Sequence, residues 1–210
     1  MHLNKSKMPR EWPVPRKGTK YSVVPRQRNG IPLLIVLRDV LKIARTGKEA
    51  ERILNGGNAS VNGKVRKDRR FSLVASDILA IKKLNKNYGV VIKKGKFRLE
   101  EIAEKDAVKR VCKVIGKKVL GKNKIQINLD NGNNILFKDS IRTGDSVVIG
   151  LHDGKILKIV PMQKNAKVLV TGGKHVGERG AAKEIKEKTA IIEIENKNVE
   201  IQKKNLMAVE

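Results

Sequence analysis

The sequence predicts a multidomain α+β protein in which strands outnumber helices. Among the 210 residues, Val (22) and Ile (21) together outnumber Leu (17), and β-branched side chains favour strands. The 47 Lys and Arg residues exceed the 21 Asp and Glu residues and give a formal net charge of +26. Such an excess indicates a polyanionic partner. Aliphatic residues are too frequent for a wholly disordered chain, so we expect small domains with aliphatic cores.

Several classes of protein are excluded by the same sequence. Cys112 is the single cysteine, so neither an intrachain disulfide nor a four-cysteine zinc site can form, and we expect an intracellular protein. The longest aliphatic run covers residues 33–37, far fewer than the ~20 residues that a membrane helix needs. Residues 1–30 lack the apolar stretch of a secretory signal. We therefore expect no membrane partner.

Residues 1–30 are predicted to form a basic N-terminal arm. Four prolines keep this segment extended and withhold amide donors, so its cations can follow a phosphate backbone while Trp12 and Tyr21 stack or anchor. We expect the arm to be mobile without RNA, because it contains no apolar run. A solvated tail is the alternative interpretation. The candidate RNA-binding residues of the arm are Lys5, Lys7, Arg10, Trp12, Arg16, Lys17, Lys20, Arg26 and Arg28.

Two helices are predicted to follow the arm. Leu33, Leu37, Val40 and Ala44 recur at helical spacing and define one apolar face. Thr46 and Glu49 have the spacing of a capping box, which starts a second helix at residue 47 or 48, and residues 55–57 end it. The cations opposite the apolar face can contact phosphates or can simply be solvated. The candidate RNA-binding residues here are Arg38, Lys42, Arg45, Thr46, Lys48, Arg52 and Asn55.

A basic β-hairpin is predicted after the second helix. Asn62 and Gly63 stand at its tip, where both residues must accept a positive φ angle. A third strand is expected over residues 77–81, so that two helices pack on a small sheet. The candidate RNA-binding residues of the hairpin are Asn62, Gly63, Lys64, Arg66, Lys67, Arg69 and Arg70.

Residues 31–81 resemble the α-L motif, a small RNA-binding fold. The resemblance rests on Leu37-Arg38-Asp39, on Thr46 with Glu49-Ala50, on the break over residues 53–57 and on the turn over residues 61–65. The motif occurs in a bacterial small-subunit ribosomal protein, in pseudouridine synthases and in tyrosyl-tRNA synthetases. It therefore implies RNA binding and leaves the class of protein open.

The next segment is predicted to be β-rich. Turn sequences at residues 130–132, 142–145 and 152–155 separate strands, and only residues 100–110 have a helical pattern. The predicted strands cover residues 125–129, 135–137, 147–149 and 156–160. Alternation of Ile125, Ile127 and Leu129 with polar residues indicates one solvated face. Pro161 marks a boundary.

A strand that runs into a glycine-studded loop follows Pro161. Residues 167–180 contain Gly172-Gly173, Gly177 and Gly180, and Lys174, His175 and Arg179 supply cations for RNA. The Gly-Lys-Ser/Thr ending of a nucleotide-binding loop is missing. The segment resembles the KOW motif of ribosomal proteins and elongation factors, which implies an SH3-like barrel. Strands over residues 189–195, 199–202 and 206–209 are predicted to complete it.

The whole chain resembles the four-e family of small-subunit ribosomal proteins of archaea and eukaryotes. The order of modules carries the resemblance: an arm (1–30), an α-L module (31–84), a central β-rich domain (85–162) and a KOW barrel (163–210). The resemblance implies a structural, non-enzymatic constituent of the cytoplasmic small subunit that supports translation. It also implies small-subunit ribosomal RNA and neighbouring ribosomal proteins as partners, with no cofactor, metal or small-molecule substrate.

Two other classes of RNA-binding protein fit the sequence less well. An RNA-modifying enzyme would need a large catalytic domain, which the small modules after residue 81 do not supply. A transcription elongation factor would not need the basic arm and the α-L module. The histidines at positions 2, 152 and 175 are not at metal-ligand spacing, and Cys112 has no neighbouring base. We therefore predict no catalytic residue.

Overall fold

The protein is described here by a computed structural model that covers residues 2–27, 30–121, 124–137, 140–151, 153–194 and 197–209. The chain divides into two compact units, Met1–Val108 and Lys109–Glu210. Strands are the main secondary structure of the described residues and form several antiparallel sheets, with few helices. The predicted excess of strand over helix is confirmed.

Two helices lie in the first unit, and the first is shorter than predicted. Helix α1 covers Leu33–Ile35 and continues as one π-helical turn over Val36–Val40. The chain then adopts a left-handed conformation at Lys42, with φ at 55°, so no helix reaches Arg45. The amide of Ala44 donates a hydrogen bond to the carbonyl oxygen of Leu37, which keeps the chain close to α1. Ala44 is therefore buried although it lies outside the helix. Helix α2 covers Gly47–Asn55, as the capping box predicted.

The strands of the first unit form three small sheets. They are β1 (His2–Asn4), β2 (Tyr21–Val23), β3 (Ile31–Pro32), β4 (Ala59–Val61), β5 (Lys64–Val65), β6 (Ser72–Leu73), β7 (Ile78–Ile81), β8 (Lys86–Lys93) and β9 (Lys96–Ile102). The largest sheet has the order β5-β4-β7-β8-β9, and β1-β2 and β3-β6 are separate pairs. The predicted strand over residues 77–81 is confirmed as β7.

The N-terminal arm is part of the first unit's core, which corrects the expectation of an extended, mobile segment. Met8 and Trp12 are each only 2% exposed and belong to the cluster formed by α1, α2 and the sheets. Strand β1 pairs with β2, so the arm folds back on itself. The packing was not predicted because Met8 and Trp12 stand singly in the sequence and belong to neither an apolar run nor a periodic pattern.

Strands β8 and β9 extend the sheet of the first unit. Strand β8 pairs with β7 over four residues, and β9 pairs with β8 over seven. The chain therefore divides near residue 108, whereas the sequence placed a break between residues 84 and 85. The 3-10 segment Lys82–Leu84 is a connection within one sheet.

The second unit holds two five-stranded sheets. Its strands are β10 (Lys109–Gly121), β11 (Lys124–Leu129), β12 (Asn134–Phe137), β13 (Ser146–Gly150), β14 (Ile156–Val160), β15 (Lys167–Val170), β16 (Arg179–Ile185), β17 (Thr189–Ile194), β18 (Lys197–Gln202) and β19 (Leu206–Ala208). The sheet orders are β12-β11-β10-β13-β14 and β18-β17-β16-β15-β19. Each sheet covers its own apolar cluster. The strands predicted in this half of the chain are confirmed to within a few residues.

No helix forms over residues 100–110, so that prediction is wrong. Residues 100–102 end β9, a turn follows, and β10 begins at Lys109. Pairing with β8 on one side and with β13 on the other supplies the backbone hydrogen bonds that a helix would have supplied. Tertiary pairing thus overrides the helical pattern of the charged residues.

Candidate nucleic-acid interface

The start of α2 is a closed capping box. The hydroxyl oxygen of Thr46 accepts a hydrogen bond from the amide of Glu49 at 3.2 Å. The carboxylate of Glu49 accepts one from the amide of Arg45 at 2.8 Å. These bonds satisfy orphan amides and place a negative charge at the helix N-terminus, where the dipole favours it. Thr46 thus has a structural role at this position.

A set of the predicted RNA-binding cations is exposed and has no hydrogen-bond or ion-pair partner among the described residues. Lys42 follows the π-helical turn, Lys48 and Arg52 lie on α2, and Lys64 begins β5. Asn55 is exposed at the end of α2. The full set of such cations is Lys7, Arg10, Lys17, Lys42, Arg45, Lys48, Arg52, Lys64, Lys67, Lys174 and Arg179.

The β4–β5 hairpin is held by the side chain of Asn62. Asn62 and Gly63 have φ angles of 51° and 76°, as an Asn-Gly turn requires. The Asn62 amide nitrogen donates to the carboxylate of Asp77 at 2.8 Å, and its oxygen accepts from the amide of Ile78 at 2.9 Å. Asp77 is 5% exposed. Asn62 and Gly63 therefore set the backbone path that presents Lys64.

Other predicted cations are held by contacts within the chain. Arg38 forms a forked pair with Asp39, at 3.1 and 2.9 Å. Arg69 pairs with Glu51 of α2 at 2.6 Å. The guanidinium of Arg66 lies 4.4 Å from the centre of the Phe71 ring. Further contacts are Arg16 to the carbonyl oxygen of Met8 (2.7 Å), Arg26 to Asp68 (3.5 Å), Arg70 to the carbonyl oxygen of Val24 (3.1 Å) and Lys20 over the Tyr21 ring (5.5 Å).

The two aromatic rings of the arm have different environments. The Trp12 indole nitrogen donates to the carbonyl oxygen of Gly30 at 3.1 Å, and the ring is buried. Trp12 is therefore unable to stack on a base, which corrects its predicted RNA-binding role. Tyr21 is 52% exposed. Lys5 is half-buried, and Arg28 lies outside the described residues.

The glycine-studded loop of the second unit is a compact turn between β15 and β16. Gly173 and Gly177 have φ angles of 94° and 88°. The amide of Gly177 donates to the carbonyl oxygen of Val170 at 2.8 Å. His175 contacts the Glu178 carboxylate at 2.9 Å, so only Lys174 and Arg179 of the three predicted residues are exposed and unpaired among the described residues.

Strands β8 and β9 form a second basic hairpin, which was not predicted from the sequence. Lys94 and Gly95 at its tip have φ angles of 52° and 69°, and four cations lie within six residues: Lys93, Lys94, Lys96 and Arg98. Lys93 pairs with Glu100, while Lys94, Lys96 and Arg98 have no partner among the described residues. The signal was Gly95 in a short polar break between two apolar stretches, since a tight hairpin turn needs a residue that accepts a positive φ angle.

At the other end of this hairpin, Lys86 donates to the Glu101 carboxylate at 2.9 Å. This hydrogen bond and the charge of Glu101 raise the pKa of Lys86 above its ordinary value. The pair is exposed and neutral overall. The unbalanced positive charge of the hairpin therefore lies at its tip.

The described residues contain no cluster of three or more His, Cys, Asp or Glu side chains that could hold a metal ion. No helix in the described part of the chain is long and apolar enough to cross a membrane. Cys112 is buried in β10, where its sulfur accepts a hydrogen bond from the Asn131 amide at 3.4 Å.

These features define a class: a β-rich protein of small sheets whose exposed cations exceed its carboxylates. The model of the Ribosomal family S4e matches residues 84–156. The small ribosomal subunit protein eS4 of Methanocella arvoryzae is 39% identical over 191 residues, which are 88% of this chain and 81% of the relative. The protein of that name from Methanosphaera stadtmanae is 38% identical over 88% of this chain and 79% of the relative.

A solved structure agrees with these sequence matches. The crystal structure of the 30S ribosomal protein S4e from Thermoplasma acidophilum superposes with a TM-score of 0.75 at 28% identity. The match covers 87% of this chain and 96% of that chain. The chain belongs to the S4e family of ribosomal proteins, as its resemblance to the four-e family predicted.

Proposed function

We propose that this chain is a structural constituent of the small ribosomal subunit that binds ribosomal RNA and so supports translation. The observation that carries the proposal is the set of exposed cations of the first unit that have no carboxylate partner among the described residues. Lys42, Lys48 and Arg52 are examples. Family membership supports the proposal, because the relatives are named as small-subunit proteins. Its location would be the cytoplasmic ribosome.

The segments have distinct proposed roles. Residues 31–84 act as an α-L module, in which α2 and the β4–β5 hairpin present cations to phosphates. Residues 163–210 act as a KOW barrel, with Lys174 and Arg179 on the loop before β16. Strands β8 and β9, the central strands β10–β14 and the remaining surface of the barrel contact RNA or neighbouring ribosomal proteins. Phosphate contacts supply affinity in each case, since cations release counterions from the RNA.

Cosedimentation tests the proposal directly. The protein should sediment with small subunits and stay bound after a high-salt wash, since an assembled constituent is held by many contacts. Sedimentation with RNA polymerase, or release of all protein at moderate salt, would contradict a constituent of the subunit. A protein with an RNA-modifying role would bind precursor RNA and be absent from mature subunits.

Single neutralisations test which cations contact phosphates. Each of Lys42→Gln, Lys48→Gln and Arg52→Gln should lower the slope of log affinity against log salt by about 0.7–0.9. Arg38→Gln is the matched control, because Asp39 already pairs with Arg38 and its loss should change the slope less. Unchanged slopes for all three would exclude this face from the RNA interface. Melting temperatures should barely move, because these side chains are exposed.

A further inference from the structure

We propose that the groove between the N-terminal arm and strand β9 binds an unpaired segment of RNA. The inference rests on the proposed function and names a second RNA contact, separate from α2 and the β4–β5 hairpin. The groove is open to solvent, has a volume of about 530 Å³, and is lined by Pro13, Val14 and Pro15 from the arm and by residues 96–99 of β9. Among the residues of β9 that line it, Lys96 and Arg98 are exposed and Phe97 is buried.

Cations line the β9 side of the groove. On the side of β9, Lys96 and Arg98 lie on the same face of the strand, because side chains alternate along a strand. Lys96 stands directly opposite Lys93, and such like-charged pairs are unfavourable unless a counter-charge is near. Glu100 pairs with Lys93 and leaves Lys96 and Arg98 without a carboxylate partner among the described residues.

On the side of the arm, cations flank the wall residues in sequence. Arg10 precedes Pro13, and Arg16 and Lys17 follow Pro15. All three are exposed, and Arg16 keeps its position by donating to the carbonyl oxygen of Met8 at 2.7 Å. Glu11 is the only acidic residue of this arm segment. The balance of charge around the groove is therefore positive and complements a phosphate backbone.

The groove is held in place by contacts on both walls. The amide of Phe97 donates to the carbonyl oxygen of Glu11 at 2.8 Å and ties the arm to the outer edge of β9. Trp12, next in sequence to Pro13, is buried in the core. Lys94, in the β8–β9 turn, has a positive φ angle. Residues other than Gly, Asn and Asp rarely adopt this left-handed conformation. The surface therefore exists before RNA arrives.

The chemistry of the groove favours an unpaired strand over a duplex. A duplex presents phosphates and sugars on its outside and keeps its bases stacked inside. Here Pro13, Val14, Pro15 and Leu99 give the groove an apolar lining, and Lys96 and Arg98 of β9 supply its cations. Such a lining can take a ribose or a splayed base while the cations contact the adjacent phosphates.

The test compares two double variants of the full chain. Lys96→Gln/Arg98→Gln alters the groove, and Lys82→Gln/Lys83→Gln removes the same charge at the other end of strand β8. All four residues are exposed, so both variants should fold, which far-UV circular dichroism and melting temperature verify. Binding is measured over a range of salt with a single-stranded RNA of about 12 nucleotides, within the usual site sizes of single-strand binders, and with its duplex.

The groove variant should lower the salt slope for the single strand by about 1.4, which corresponds to two phosphate contacts. The control variant should change that slope by less than half as much, and the groove variant should leave duplex binding within twofold of wild type. Equal effects of the two variants, or an equal loss for duplex and single strand, would overturn the proposal.

Crosslinking locates the contact independently of affinity. Small-subunit RNA that carries 4-thiouridine should crosslink to peptides containing residues 13–15 or 96–99 of the wild-type protein. If these peptides crosslinked to another protein in assembled subunits and not to RNA, the proposal that the groove binds RNA would be wrong. The result would point to an acidic protein partner. If the wild type failed to bind ribosomal RNA at all, the proposed function would fail; if it bound and only the groove tests failed, that function would stand.

Discussion

At the scale of single residues, burial decides what a lysine does. Most lysines of this chain are exposed, but Lys113 in β10 is only 8% exposed. Its ammonium group donates to the carbonyl oxygens of Lys203 and Lys204, at 2.6 and 2.9 Å, just before β19. Burial lowers the pKa of Lys113, and the charge of Asp130 partly opposes this effect. The residue thus links the two sheets of the second unit.

Replacing Lys113 by Met should destabilise the second unit by about 1–3 kcal/mol, because the carbonyl oxygens of Lys203 and Lys204 lose a charged donor. Urea unfolding at pH 7 measures the free energy of unfolding, and Lys167→Met, an exposed lysine on β15, is the control and should change it by less than about 0.5 kcal/mol. A variant as stable as wild type would show that the ammonium group contributes nothing beyond its volume.

The pH dependence of the same variant has a definite sign. The pKa of Lys113 in the folded protein lies below the ordinary value of 10.5, so between the two values the unfolded chain binds more protons. The free energy of unfolding of the wild type should therefore rise relative to that of Lys113→Met as the pH increases toward 10.5. A difference that stays constant from pH 7 to pH 10.5 would contradict the lowered pKa.

Gly180 is required for space at the start of β16. A Cβ atom at this position would lie 2.3 Å from the carbonyl oxygen of Glu193 and 2.6 Å from a methyl carbon of Ile192. Gly180→Ala should therefore cost about 1–3 kcal/mol of stability. Gly116→Ala in β10 is the matched control, since its nearest neighbour would be 3.7 Å away. Thermal unfolding measures the melting temperatures of the two variants. Equal melting temperatures would show that β16 and β17 move apart easily enough to accommodate a methyl group at position 180.

At the scale of elements, the β4–β5 hairpin depends on one side chain that never needs to touch RNA. Asn62→Ala removes the hydrogen bonds to Asp77 and Ile78 and should cost about 2 kcal/mol. Because Asn62 sets the backbone path that presents Lys64, the salt slope of RNA binding should fall by no more than one phosphate contact, about 0.7–0.9. Asn55→Ala, at the exposed end of α2, is the control and should be near neutral. Unchanged stability with lost RNA binding would instead make Asn62 a direct contact.

The elements that sequence analysis predicted correctly carry local signals. Thr46 and Glu49 determine the start of α2 by bonds three and four residues apart, and Asn62-Gly63 determines a turn by its own backbone preference. The missed elements depend on distant partners. Residues 100–102 join β9 because β8 lies beside them, and Trp12 is buried because the sheets supply a core. No local pattern reports such partners.

The candidate RNA-binding residues also divide into those that local sequence signals predict and those that depend on distant partners. Exposure of Lys42, Lys48 and Arg52 follows from helix periodicity and from the π-helical turn that ends α1. Pairing of Arg69 with Glu51, and of Arg38 with Asp39, required the structure, because charge counts alone do not say which cations are neutralised. The groove beside β9 was missed because its two walls are about 80 residues apart in sequence.

At the scale of the whole molecule, the aliphatic residues form separate cores. One cluster lies wholly within residues 1–108, and the other two lie within residues 109–210. Each unit has its own apolar cluster and its own sheets, which is what an independently folding domain needs. The arm belongs to the first of these units, so removing it should destabilise that unit. This reverses the expectation that the arm is mobile without RNA.

The single tryptophan makes this division measurable. Trp12 is the only tryptophan, and Tyr21 and Tyr88 also belong to the first unit, so fluorescence reports that unit alone. Leu54→Ala, which creates a cavity in the first core and should cost about 2–5 kcal/mol, should shift the fluorescence transition in urea to lower concentration. Gly180→Ala should leave that transition in place and shift only the part of the circular dichroism signal that comes from the second unit. If both variants shifted both signals together, the two units would unfold as one, and the separate cores would not correspond to separate folding domains.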